Sequence, residues 1–225
     1  YPIIPGHVSV GRVLEAPGVR ADALGNPLGP GDVVTFYDVH ETCWSCYHCL
    51  VARQPNRCPS RKVYGITYSA RDGLLGGWAE KIYLKPGVKI FRVPRGVTPD
   101  QVIGGGCGLF TGFAAVDRSR MQLGDTVLVQ GAGPVGLSAA IFAGLAGAAA
   151  VFMIGAPESR LALGRRFGAD ETFDLDLTTR EERKERILAL TGGRGVDVVV
   201  EAAGHPSAIP ATRITAYARI AGQPP

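Results

Sequence analysis

The chain has 225 residues, 46% hydrophobic and 20% charged, enough to bury a core in one large domain or two modest ones. Its net charge of +4 is spread without long runs of like charge, which argues against nucleic acid as the main partner and suits an anionic cofactor. No apolar stretch reaches the ~18 residues of a membrane span and no secretory pattern opens the chain, so the cytoplasm is the expected compartment.

Residues 1–115 are dense in glycine, proline and short β-branched runs. The runs at 8–14, 32–36 and 80–84 are too short for helices and are bounded by turn residues, which predicts antiparallel strands of a barrel-like domain. With 31 glycines and 16 prolines, little uninterrupted helix is expected. From about residue 119 the rhythm changes. Strands are predicted at 126–130, 150–154, 171–173 and 197–201, and helices at 134–147, 158–167 and 178–190. Thr178 and Glu181 have the spacing of a capping box on the last helix. Strand and helix alternating in this way predict parallel βαβ units. After Ser207 neither period is clear.

Four of the five cysteines crowd together as Cys43-x2-Cys46-x2-Cys49-x8-Cys58. Four thiolates at this spacing can close around one tetrahedral Zn²⁺ and leave no position for water or substrate, so such a site is a staple that does no chemistry. Free thiols or two disulfides are the alternatives. Two CxxC steps with a nearby fourth cysteine favour zinc. His48, inside the cluster, is expected to be an exposed loop residue rather than a ligand.

Gly131-x-Gly133-x-x-Gly136 follows a predicted strand and opens a predicted helix, the context in which this pattern binds a dinucleotide. Gly131 makes the tight turn, and Gly133 lets the backbone approach a pyrophosphate. Gly136 lets helix and strand pack closely. Pro134 and Val135 complete the binding turn, and the helix N-terminus offers free N–H groups to the phosphates. Where an NAD site would carry an acid at the end of the next strand stands Gly155, followed by Ala156-Pro157-Glu158-Ser159-Arg160. Missing repulsion at Gly155, with Ser159 or Arg160 able to bind a 2′-phosphate, tilts the reading toward NADP. Glu158 could still reach a ribose.

With these motifs in order, the chain resembles the zinc-containing medium-chain alcohol dehydrogenase family over residues 1–207. The match adds Gly6-His7, Gly76-Gly77-Trp78-Ala79-Glu80, Cys107-Gly108-Leu109-Phe110-Thr111-Gly112 and Val198-Val199-Val200-Glu201-Ala202-Ala203-Gly204. The resemblance implies an α/β plus β fold. A GroES-like β-barrel-type domain would occupy 1–117, a Rossmann domain with its first four strands 118–207, and an atypical tail 208–225. It implies NAD(P) as cofactor, a small alcohol or carbonyl substrate, and a homo-oligomer in a full-length form. It also implies a second, catalytic zinc with His7 and Cys107 as ligands, Thr111 packed against the nicotinamide, and Glu201 at the cofactor.

Three departures from the family pattern are visible. The upstream cysteine that completes the catalytic zinc site and the last two Rossmann strands fall outside the chain, and Val8 replaces the glutamate of the Gly-His-Glu step. An incomplete form is therefore expected, with a poor catalytic zinc site and the fourth strand left as an unpaired, aggregation-prone edge unless the tail covers it. Two other readings stay open: a zinc-free quinone or enone reductase on the same scaffold, and a non-catalytic, zinc-stapled nucleotide-binding module.

Overall fold

A computed structural model describes residues 2–205 and 219–221. The chain divides into two compact units, residues 1–104 and 105–225.

In the first unit, β2 (Val33–Phe36) is central, flanked antiparallel by β1 (Val10–Arg12) and β5 (Ile90–Arg92), with Thr35 opposite Val10 on one side and Phe91 on the other. A separate pair, β3 (Val39–Glu41) and β4 (Lys62–Val63), sets Val39 opposite Val63 and so closes the intervening cysteine segment at its base. That segment contains the short helix α1 (Tyr47–Leu50). The core gathers Tyr64, Tyr68 and Leu75, with Phe36, Ile82, Leu84 and Val88 packed on it.

The strand predicted at 80–84 does not form. Its alternation is real, because Ile82 and Leu84 face the tyrosine core, but Tyr83 N donates to the irregular Leu74 instead of joining a ladder. α2 (Pro99–Ser119) occupies a stretch dense in glycine, and Gly106, with φ 46° and ψ −152°, kinks it.

In the second unit, β6 (Thr126–Gln130), α3 (Pro134–Leu145), β7 (Ala150–Gly155), α4 (Glu158–Arg166), β8 (Glu171–Asp174), α5 (Arg180–Leu190) and β9 (Val198–Glu201) follow the predicted alternation. The five-stranded parallel sheet has the order β10-β9-β6-β7-β8, where β10 is Arg219–Ala221. β6 is buried along its whole length, as the central strand of a sheet covered on both faces must be. Val127 and Val129 pack with Ala139, Ala140 and Ala143 of α3 on one face. Leu128, Phe152, Ile154 and Val199 pack with Ile187 of α5 on the other.

The tail covers the fourth strand: β10 pairs with it in parallel, Arg219 beside Val198. Most of the tail read as 208–225 lies outside the described residues. The capping box sits one residue later than its predicted place. Thr179 caps α5 by accepting from Glu182 N at 3.2 Å, while Thr179 N donates to the Glu182 carboxylate at 2.7 Å. Thr178, the predicted cap, instead donates its hydroxyl back to the Asp174 carbonyl.

Candidate metal centre and cofactor crevice

The four lobe cysteines converge: their Sγ atoms all lie within 4.8 Å of one another. Cys46 caps the start of the single-turn helix α1 and Cys49 lies within it, their sulfurs 3.6 Å apart, and Cys43 Sγ is 4.0 Å from Cys49 Sγ. Cys58 ends a single turn of 3-10 helix, and its sulfur accepts from Cys43 N at 3.4 Å, which ties the two ends of the lobe together. Tetrahedral Zn–S bonds of about 2.3 Å place sulfurs roughly 3.8 Å apart, so this donor set fits a zinc ion.

The electrostatics point the same way. Hydrogen bonds from the Ser45 side chain and from the Ser45 and Cys46 backbone pull the Cys43 thiol down to about 5. Burial and the neighbouring Cys46 sulfur push Cys49 up to about 12. Sulfurs this close resist joint ionisation until a cation neutralises them. All five cysteines are free thiols. His48 is half-buried on α1 rather than exposed, its Nδ1 is buried without a partner, and it is not a member of the sulfur group.

His7 lies half-buried in a bend of the first unit. Its segment is clamped by backbone: Gly77 N donates to Gly6 O at 2.8 Å, and a Cβ on Gly76 would stand 1.8 Å from Ile4 O. Those contacts give the Gly76-Gly77 pair its physical reason. Burial holds the Asp38 carboxyl above its ordinary range, an effect opposed by the nearby His7. Nothing in the sequence marked Asp38, because only the folded chain brings it to His7.

The glycine-rich turn has the geometry its spacing predicts. Gly131 has φ +109°, and a Cβ there would meet the Ala202 backbone at 2.8 Å. A Cβ on Gly136 would stand 1.8 Å from Gly131 O. Gly133, the N-cap of α3, meets nothing within 4 Å, and no side chain caps the helix. Its first N–H groups are left without a side-chain cap, and the first turn, with Pro134 and Val135, holds no acidic residue.

Gly155 ends β7, where a Cβ would approach Ala132 Cβ to 2.7 Å. Ser159 and Arg160 are exposed on the first turn of α4, while the Glu158 carboxylate pairs with Arg165. Glu201 turns its Oε1 to the N–H groups of Ala203 and Gly204, at 2.7 and 3.0 Å, and so shapes the loop after β9.

Cys107 and Thr111 ride on the part of α2 within the second unit, both exposed, with Thr111 Oγ1 donating to Cys107 O at 2.7 Å. Gly108 and Gly112, in the same stretch, bring α2 into close contact with α3. A Cβ on Gly108 would stand 2.9 Å from Pro134 Cβ, and one on Gly112 2.5 Å from Ser138 Cβ. The i, i+4 spacing of these glycines is a readable signal of close helix contact. It presses this part of α2 onto the start of α3, beside the glycine-rich turn. His7 and Cys107 belong to different units, and neither unit gathers a second group of three potential ligands among the described residues.

Residues 134–218 match the family model for zinc-binding dehydrogenases. Over 212 residues the chain is 35% identical to 5-exo-hydroxycamphor dehydrogenase from Pseudomonas putida, covering 93% of this chain and 57% of that protein. An erythritol/L-threitol dehydrogenase from Mycolicibacterium smegmatis is 31% identical, with 92% of this chain and 54% of that protein covered. An alcohol dehydrogenase structure from Thermotoga maritima superimposes with a TM-score of 0.87 at 36% identity, covering 94% of this chain and 59% of that one. The chain therefore spans little more than half the length of these relatives. Their shared sequence and fold, together with the four-sulfur cluster and the glycine-rich turn, establish that the chain belongs to the zinc-containing medium-chain dehydrogenase family.

Proposed function

We propose that the protein transfers hydride between a small alcohol or carbonyl compound and a nicotinamide dinucleotide, with zinc as the Lewis acid. The observation that carries this reading is the seating of Gly108 and Gly112 on Pro134 and Ser138. It couples a helix bearing Cys107 and Thr111 directly to the turn that suits a pyrophosphate. In this reading the α3 amides bind the phosphates, and Gly131, Gly133 and Gly136 give them access. The family resemblance assigns Cys107 and His7 as ligands of a catalytic zinc, which if bound would polarise the substrate oxygen. Thr111 holds its turn of α2 rigid through Cys107 O and stands toward the nicotinamide. The Cys43, Cys46, Cys49 and Cys58 cluster holds a structural zinc.

NADP is the favoured cofactor. Gly155 puts no carboxylate where a 2′-phosphate would sit, Ser159 and Arg160 offer a hydroxyl and a cation, and Glu158 is engaged by Arg165. A protein from Sinorhizobium meliloti solved with NADP bound shares the fold, with a TM-score of 0.74 at 26% identity. Free thiols that converge on a metal site suit a reducing compartment, which supports the cytoplasm.

The test is reduction of NADP⁺ and NAD⁺ by a panel of secondary alcohols, in the protein and in Cys107→Ala. The expected result is turnover that prefers NADP⁺ and disappears in Cys107→Ala, while the variant keeps its circular dichroism and about one zinc per chain. Turnover that survives the substitution would favour a zinc-free reductase on this scaffold.

A further inference from the structure

The cysteine lobe gathers its sulfurs inward, and what it turns outward is apolar. Cys46, which caps α1, and Cys49 within it belong to the sulfur cluster. Tyr47, Leu50 and Val51 stand at i, i+3 and i+4 on the same turn, and each is more than half exposed. Trp44, three residues before Tyr47, is as exposed as the tyrosine. Its backbone lies in the left-handed region at φ 51°, which a bulky residue adopts rarely. A helical turn set toward water normally carries polar side chains, so this one suits a surface that something covers.

The charges around it are of one sign. Between Glu41 and Asp72 the chain has no acidic residue and five basic ones, Arg53, Arg57, Arg61, Lys62 and Arg71. Of the 24 basic and 20 acidic residues in the whole chain, the remaining 19 bases meet all 20 acids, so the entire positive excess lies in this stretch. Arg57 donates to the Gln54 side chain and Arg61 to the Cys58 carbonyl. Among the described residues, none of Arg53, Arg57, Arg61 and Lys62 pairs with a carboxylate. Four thiolates on one Zn²⁺ carry a charge of −2, which these cations outnumber.

We propose that the cysteine lobe docks on membranes rich in anionic phospholipid, with Trp44, Tyr47, Leu50 and Val51 entering the interface while the arginines and Lys62 meet the headgroup phosphates. The chemistry matches that surface layer by layer. Aliphatic side chains reach the acyl boundary, indole and phenol rings settle at headgroup level, and the cations complement the anionic charge. A nucleic acid would engage the cations and the rings but would leave Leu50 and Val51 in water. The contact lies in the interface plane and spans nothing.

The test sediments the zinc-loaded full chain with vesicles of phosphatidylcholine alone and of phosphatidylcholine mixed with phosphatidylglycerol. The chain should pellet with the anionic vesicles and stay in solution with the neutral ones. Arg57→Gln should weaken binding about fivefold, the worth of one cation near an anionic surface. Trp44→Ser should weaken it about tenfold or more, and both variants should keep about one zinc per chain. In Trp78→Phe, which leaves Trp44 as the sole tryptophan, brominated acyl chains should quench the emission, a readout that leaves the lobe itself unaltered. Equal binding to neutral and anionic vesicles would mean unspecific adsorption of apolar residues and overturn the proposal. Binding that Trp44→Ser leaves unchanged, without quenching by brominated lipid, would mean a basic patch alone and overturn it as well. Absence of binding to any vesicle overturns it too, and a dimer mass in sedimentation equilibrium that Trp44→Ser abolishes would then assign the lobe to a second copy of the chain.

Discussion

Asp22 ties two distant parts of the first unit through one carboxylate. It accepts from Leu24 N at 2.9 Å, Asn26 N at 2.8 Å, Asn26 Nδ2 at 3.0 Å and, across the unit, Arg92 N at 3.1 Å. The Asn26 side chain contributes most to holding the group down at about 2, against 3.8 for an ordinary aspartate, and the backbone donors add to it. Because the folded pKa is depressed, the stabilisation is complete above about pH 4 and is lost as pH falls through about 2. Asp22→Asn should therefore melt lower than the unaltered protein at pH 7, because an amide NH₂ would then face N–H donors. The difference should close between pH 4 and 2, as thermal melts across that range would show. A gap of constant width would mean that Asp22 acts through packing alone. None of this was legible in the sequence: Asp22 and Arg92 are 70 positions apart, and only the fold makes them neighbours.

The helix-forming half of the glycine-rich turn allows two alanine substitutions with opposite expected effects. Gly136→Ala places a methyl 1.8 Å from Gly131 O, where strand and helix have no slack, and should destabilise by about 2 kcal/mol or more. Gly133→Ala meets open space at an ordinary φ of −83° and should leave stability within about 0.5 kcal/mol. Its methyl would instead stand where a phosphate must approach, so ADP-ribose affinity should fall tenfold or more while the melting temperature holds. Chemical denaturation and calorimetry separate the two, and a Gly133→Ala protein that binds normally would remove this turn from the site. Here the sequence was readable because spacing alone carries the geometry. The same holds for the βαβ alternation and the cysteine lobe. It was not readable where local composition and tertiary context disagree. Gly104-Gly105-Gly106 looks like a loop, yet α2 runs through it with one kink, because Gly108 and Gly112 gain close contact with α3. Residues 80–84 alternate as a strand should, but they find a core and no partner strand.

At the scale of the whole molecule, the two units draw their stability from different sources. The second buries aliphatic cores on both faces of a five-stranded sheet. The first has a three-stranded and a two-stranded sheet and a small tyrosine core, and its β3–β4 pair encloses a lobe that carries four converging sulfurs. A structural zinc in such a lobe contributes on the order of 10 kcal/mol of apparent binding energy, all of it folding energy when the unbound lobe is unstructured. Removing the metal should therefore unfold the lobe and lower the melting of residues 1–104, while the sheet of the second unit persists. ADP-ribose should do the reverse, raising only the transition of residues 105–225. Scanning calorimetry with a strong chelator, and on Cys58→Ser, should show the lower transition falling in both cases and the upper one keeping its response to ADP-ribose. Acidification should imitate the chelator, because protons compete with zinc for the thiolates. If the chelator instead collapsed both transitions together, the units would fold as one cooperative body and the zinc would staple the whole chain rather than its lobe.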